Sequence, residues 1–154
     1  MVPTTQTLIK KYQKLIAALA TLKAAIDDMK NVEMIARAIN EYPEKIHKTY
    51  RDSLIQRFEY TFDLSWKYVA EYLEVGGKKI DPKVPKMVFR ECFKANIINE
   101  EQTRLAMNMV DHRNLTTHGY DEPLIEEISQ SIPVYYKFME QLATAAAITS
   151  QTKN

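Results

Sequence analysis

Between Glu44 and Glu74 no proline or glycine interrupts the chain, and its apolar side chains recur in steps of three and four. The set runs Ile46, Tyr50, Leu54, Phe58, Phe62, Ser65, Val69, Tyr72 and Leu73. A helix brings residues so spaced onto one face. Leu64, Trp66 and Tyr68 widen that face, so more than one partner helix must cover it. Asp63 with Lys67 and Lys67 with Glu71 are opposite charges four apart, expected to add a few tenths of a kcal/mol each. The aromatic run Phe58-Glu59-Tyr60-Thr61-Phe62 has the composition of a base-stacking platform. Its spacing fits the stripe, which favours core packing instead.

The flanking segments supply the covering helices. Thr4 or Thr5 can cap a first helix with Leu8, Tyr12, Leu15, Ile16, Leu19, Leu22, Ile26 and Met29 on one face. Val32 to Ile39 continues a weaker pattern, as a bent extension or a short helix of its own, and Pro43 marks a boundary. Gly76-Gly77 ends the long helix, and a loop with two prolines follows. A helix over Pro85 to Ala95 turns Val88, Phe89, Cys92 and Phe93 inward. Its outer side carries Lys83, Lys86, Arg90 and Lys94, either a basic face for phosphates or a solvated surface. Asn99 caps the next helix, which carries Leu105, Ala106, Met109 and His112 on one side and should stop close to His118, ahead of Gly119. Asp121 caps the last, which runs through Leu124, Ile125, Ile128, Ile132, Tyr135, Tyr136, Met139 and Leu142, with a kink or break expected at Pro133. After Ile148 the tail is small and polar and is expected to fray. Together these segments predict an all-α, antiparallel, up-and-down bundle of four to five helices in a single domain over residues 1–154.

At this length about two-thirds of the unfolded surface can be buried, so no disulfide or metal is needed for folding. A net charge of +1 leaves the whole chain without electrostatic steering towards nucleic acid, so any such contact must be local. Three glycines, Gly76, Gly77 and Gly119, exclude a glycine-rich phosphate loop or a dinucleotide fingerprint. The lone Cys92 has no internal disulfide partner and reads as a small core residue in a reducing, cytoplasmic setting. Neither a signal peptide nor a membrane-spanning run is expected.

The chemistry-bearing side chains gather in Asp111-His112-Arg113-Asn114-Leu115-Thr116-Thr117-His118-Gly119-Tyr120, where one helix stops and the next begins. On a continuous helix Asn114 and His118 share a face, whereas Arg113 and His118 point roughly 140° apart. They converge only if the helix ends near His118, or if a two-fold dimer brings a second copy alongside. Histidine can take a proton from a ribose 2′-hydroxyl or give one to a leaving 5′-oxygen. Arginine can stabilise the charge of a phosphoryl transition state, and Asn114 can fix the histidine or bind phosphate. Such a set is enough for RNA cleavage with no metal and no cofactor. The plain alternative is a helix end with a salt bridge. His47 and His112 are weaker candidates, and Asp111, His112 and His118 make an incomplete metal-ligand set.

With these residues in view, the chain resembles the HEPN family, in the branch called nucleotidyltransferase substrate-binding proteins. The resemblance rests on Ile55-Gln56-Arg57-Phe58-Glu59-Tyr60-Thr61-Phe62-Asp63-Leu64-Ser65-Trp66-Lys67, on Pro85 to Ile98 and on Asp111 to Tyr120. It covers about Leu54 to Asp121, and the family usually has Leu-Gly where this chain has Ala95-Asn96. The resemblance implies a homodimer and a partner, a small nucleotidyltransferase. In toxin–antitoxin members the HEPN chain is a ribonuclease whose motif is Arg, four residues, His, one residue, Tyr. That motif falls on Arg113, His118 and Tyr120, with Asn114 as the polar residue after the arginine. There the antitoxin transfers AMP to the tyrosine and blocks the ribonuclease, so Tyr120 is the expected modified residue. Two expectations follow: a metal-independent endoribonuclease toxin silenced at Tyr120, or a non-catalytic subunit that docks on the nucleotidyltransferase and presents its nucleotide or substrate.

Overall fold

A computed structural model describes residues 4–148 of the chain. All its regular structure is helical: α1 (Thr5–Lys30), α2 (Val32–Ala38), α3 (Pro43–Val75), α4 (Pro85–Lys94), α5 (Glu100–Leu115) and α6 (Glu122–Ala145). The expected tail beyond Ile148 lies outside the described residues. No described helix is long and apolar enough to cross a membrane.

Helix ends follow from local side-chain chemistry. Thr4 caps α1 by accepting the Thr7 N–H at 3.2 Å, while its own N–H donates to the Thr7 hydroxyl at 3.1 Å. Asn99 and Gln102 make the same reciprocal pair at the start of α5, at 2.8 and 2.9 Å. At Asn31 the side-chain amide donates to the Asp27 carbonyl at 3.0 Å and the backbone N–H to Asp28. These bonds end α1 and make α2 a short helix of its own, which resolves the two alternatives for that segment and gives six helices.

Three helices close with one device. Asn40, Gly77 and Asn96 adopt φ of 56°, 95° and 61° just past α2, α3 and α4. In each case the next residue's N–H returns to a carbonyl inside the helix: Glu41 to Ala36, Lys78 to Leu73 and Ile97 to Cys92. Asparagine tolerates the left-handed region better than most side chains other than glycine, so Asn40 and Asn96 close their helices as Gly77 closes α3.

α1 packs along α3, and α6 lies against both. α4 and α5 pair with each other and join the bundle through α3 and α6. The main core gathers Leu8, Leu15, Leu22, Phe58, Phe89, Met109, Ile128 and Phe138, all fully buried or nearly so. A small second core of Val32, Ala36 and Ile46 seats α2 on the start of α3. The Tyr68 hydroxyl donates to the Ala146 carbonyl and ties the end of α6 to α3. Of the aromatic run, Phe58 and Phe62 are core residues and Tyr60 is exposed.

Four expectations are corrected. Phe93 is 44% exposed rather than inward. Helix α6 continues unbroken through Pro133, whose ring lies on the exposed side while Ile132 and Tyr135 on either side are buried. The charge pairs within α3 give way to other partners: Asp63 meets Arg113 on α5, Glu71 meets Lys11 on α1, and Lys67 lies over the ring of its neighbour Trp66. Helix α5 stops at Leu115 instead of near His118, and Gly119 does not take the left-handed conformation.

Candidate functional site

Helix α5 ends at Leu115, and two threonines follow it. The Thr116 hydroxyl sits 2.8 Å from the Arg113 carbonyl, and the Thr117 hydroxyl 3.2 Å from the Asn114 carbonyl. The chain then folds through two successive turns, in which the His118 N–H donates to the Leu115 carbonyl and the Asp121 N–H to the His118 carbonyl, each at 3.0 Å. Asp121 accepts the Leu124 N–H at 3.2 Å and starts α6. Residues 117–120 are left exposed at this corner.

Arg113 and His118 go separate ways from it. Arg113 turns towards α3, where Nη1 donates to Glu59 Oε2 at 3.0 Å and to the Thr116 hydroxyl at 3.2 Å. Its Nη2 reaches Asp63 Oδ2 at 3.4 Å, and its Nε is buried with no hydrogen-bond partner. Thr116 also lies 2.8 Å from the same Glu59 oxygen. Two carboxylates therefore surround one guanidinium. His118 stands in solvent with Nδ1 3.0 Å from the Tyr120 hydroxyl, the two rings edge to face. Tyr120 is 82% exposed. No hydrogen bond joins Arg113 to His118 among the described residues, and the exposed Asn114 side chain does not hold the imidazole; Tyr120 does.

The remaining candidates are engaged elsewhere. Lys83 pairs with Glu74 at 2.7 Å, Lys86 with Asp111 at 2.7 Å and Lys94 with Glu91 at 3.3 Å. Arg90 is exposed on the same side. His112 Nδ1 lies 2.6 Å from the Tyr135 hydroxyl and His47 Nε2 lies 2.7 Å from Glu126, so Asp111, His112 and His118 do not converge. Burial pushes the Cys92 thiol up to about 12, with the Glu91 charge adding to it, which leaves it inert.

Sequence reasoning missed Glu59, Asp63 and Thr116. Glu59 and Asp63 are four apart on one face of α3, a spacing that offers two carboxylates to a single cation. That spacing was the one available signal, and it does not name the cation.

The chain matches the family model described as "Nucleotidyltransferase substrate binding protein like" over residues 10–147. It is also similar to a Thermus thermophilus protein of known crystal structure, with 36% identity and a TM-score of 0.69. That similarity covers 87% of this chain and 99% of the other. No match is found among curated proteins.

Proposed function

The chain belongs to the nucleotidyltransferase substrate binding protein like family, and from that premise we propose that it is the HEPN-type partner of a small nucleotidyltransferase. In this reading it is a metal-independent endoribonuclease, held in check by transfer of AMP to Tyr120. The observation that carries it is the exposed His118–Tyr120 pair, whose hydroxyl and imidazole nitrogen lie 3.0 Å apart. One group suited to proton transfer and one nucleophilic oxygen stand together where another protein can reach both.

In cleavage, the 2′-oxygen attacks the adjacent phosphorus and the bond to the 5′-oxygen breaks. One imidazole takes the 2′-hydroxyl proton, and a second supplies the proton to the leaving oxygen. A homodimer with two His118 side chains at its dyad provides both. Arg113, once released from Glu59 and Asp63, stabilises the phosphoryl charge, and Asn114 binds phosphate beside it. In silencing, the Tyr120 oxygen attacks the α-phosphorus of ATP, pyrophosphate leaves, and the phenol proton passes to His118. The product covers the imidazole and places a phosphodiester charge where RNA must approach. Arg90, with Lys83, Lys86 and Lys94 once freed from their carboxylates, extends the RNA contact.

A second reading is favoured by one observation. Arg113 is held by both Glu59 and Asp63, and carboxylates so placed compete with an RNA phosphate. A non-catalytic subunit that docks on the nucleotidyltransferase and presents its substrate needs no free arginine. The two readings separate in one experiment: incubation with the nucleotidyltransferase and ATP, followed by peptide mass spectrometry. The first predicts one or more adenylyl groups on the Tyr120 peptide and none in Tyr120→Phe. A stable complex with Tyr120 unmodified, and no RNA cleavage by the free chain, sinks the first and leaves the second.

A further inference from the structure

At the α5–α6 corner Leu115 and Leu124 pack in part against the main core and Ile125 is buried in it, but residues 117–120 between them are exposed. Between Thr116 and Ile125 no side chain is buried. Apolar packing thus reaches the corner only at its two ends, and polar clamps on the two flanks complete the placement of His118 and Tyr120. On the α5 flank α3 supplies the acids, Glu59 and Asp63, and Arg113 with Thr116 meets them. On the α6 flank the polarity reverses: α3 supplies cations and α6 supplies carboxylates.

Arg51 is the centre of that second clamp. Its Nη1 lies 2.7 Å from Glu122 Oε2 and 3.9 Å from Glu126 Oε2. Lys48 approaches Glu122 at 3.5 Å, and His47 reaches Glu126 at 2.7 Å. Arg51 sits on the inward face of α3, three residues before Leu54, and only 6% of it is exposed. A guanidinium so buried must be neutralised by neighbours. Its Nε is buried and has no partner, so the compensation rests on Nη1 and Nη2; Nη2 lies 3.5 Å from Asp52 Oδ1 on its own helix, and Glu122 makes the shortest contact. The hydrogen bond from Arg51, with the nearby cationic charge, in turn holds the Glu122 carboxyl below the usual carboxylate range, so it is charged throughout neutral pH. Arg51 and Glu59 are eight residues apart, roughly 12 Å along α3. The two clamps therefore bracket the turn that carries His118 and Tyr120.

We propose that Arg51 is the positioning residue of the His118–Tyr120 pair: through Glu122 it pins the first turn of α6 and so sets the tyrosine hydroxyl against the imidazole. This rests on the reading above only where it concerns AMP transfer; the clamp itself concerns the free chain. Arg51 touches no reacting atom in either case.

Glu122→Gln is the variant of choice, because Glu122 is exposed and the change keeps its shape. Arg51→Lys, which keeps the charge and loses the guanidinium fork, is the conservative companion. Two readouts are taken on the full chain. The first is hydrogen exchange at the His118 and Asp121 amides, whose bonds close the corner, with core amides of α1 and α3 as control. The second is the rate of adenylyl transfer by the nucleotidyltransferase. The clamp predicts exchange at those two amides about tenfold faster in Glu122→Gln, core exchange unchanged, and a smaller effect in Arg51→Lys. It predicts kcat for transfer lower by about tenfold with KM for the chain unchanged. Exchange and kcat both at wild-type values overturn it, as does a uniform rise in exchange across the core, which marks a general loss of stability. Should the wild type itself accept no AMP, the tyrosine-acceptor reading fails and the exchange readout alone decides the clamp.

Discussion

A single guanidinium shared by two carboxylates sets the character of this corner. Arg113 stands out through the motif that the family resemblance implies, but its partners do not. Asp63 has a lysine four residues on, and local spacing assigned it there. In the fold Asp63 turns to Arg113, fifty residues away along the chain. An arginine presents a planar fork to two acceptors at once, which a flexible lysine on the same helix cannot match. The role of Cys92 was legible, since a small residue on an inward helical face with no neighbouring base has little else to be. Its thiol is pushed up to about 12 by burial, so at pH 8 only about one molecule in ten thousand carries the thiolate. Native protein should therefore resist a thiol-specific reagent at that pH and react quickly once unfolded in denaturant. Rapid labelling of the native chain would mean that Cys92 is accessible.

Elements were read well where a side chain punctuates the backbone and less well where tertiary forces override it. Asn99 and Asp121 begin α5 and α6, and Gly76-Gly77 closes α3, as their chemistry requires. Helix α5 ends at Leu115, three residues ahead of the expected position, and Gly119, which looks like the stop, stays out of the left-handed region. Pro133 misled in the opposite sense. Ile128, Ile132, Tyr135, Phe138 and Met139 are all buried around it, and that packing outweighs the loss of one backbone bond. Pro133→Ala returns an N–H for the Ser129 carbonyl and should stabilise the fold by about 1 kcal/mol, read as a higher denaturant midpoint with an unchanged slope. A lower midpoint would show that the proline's rigidity matters more than the missing bond. The separation of α2 from α1 rests on one asparagine amide, a signal too local for periodicity to register.

At the scale of the molecule, apolar periodicity was enough to foresee a helical bundle, because six helices with one-sided stripes have few other ways to hide them. The site was legible only as a list of residues. Within one chain Arg113 faces α3 and His118 faces solvent, so the proposed nuclease requires a second copy to complete it. Net charge of +1 adds little general attraction for RNA, and three of the four candidate phosphate-binding lysines and arginines are paired with carboxylates. In the proposed nuclease, catalysis must then rest on the corner rather than on broad electrostatics. The most direct measurement is cleavage of a single-stranded RNA in the presence of a metal chelator by wild type, Arg113→Ala and His118→Ala, each verified as folded. The account predicts cleavage by the wild type and a fall of about 10²- to 10⁴-fold in both variants. No cleavage by the wild type, or equal rates in all three, would contradict it.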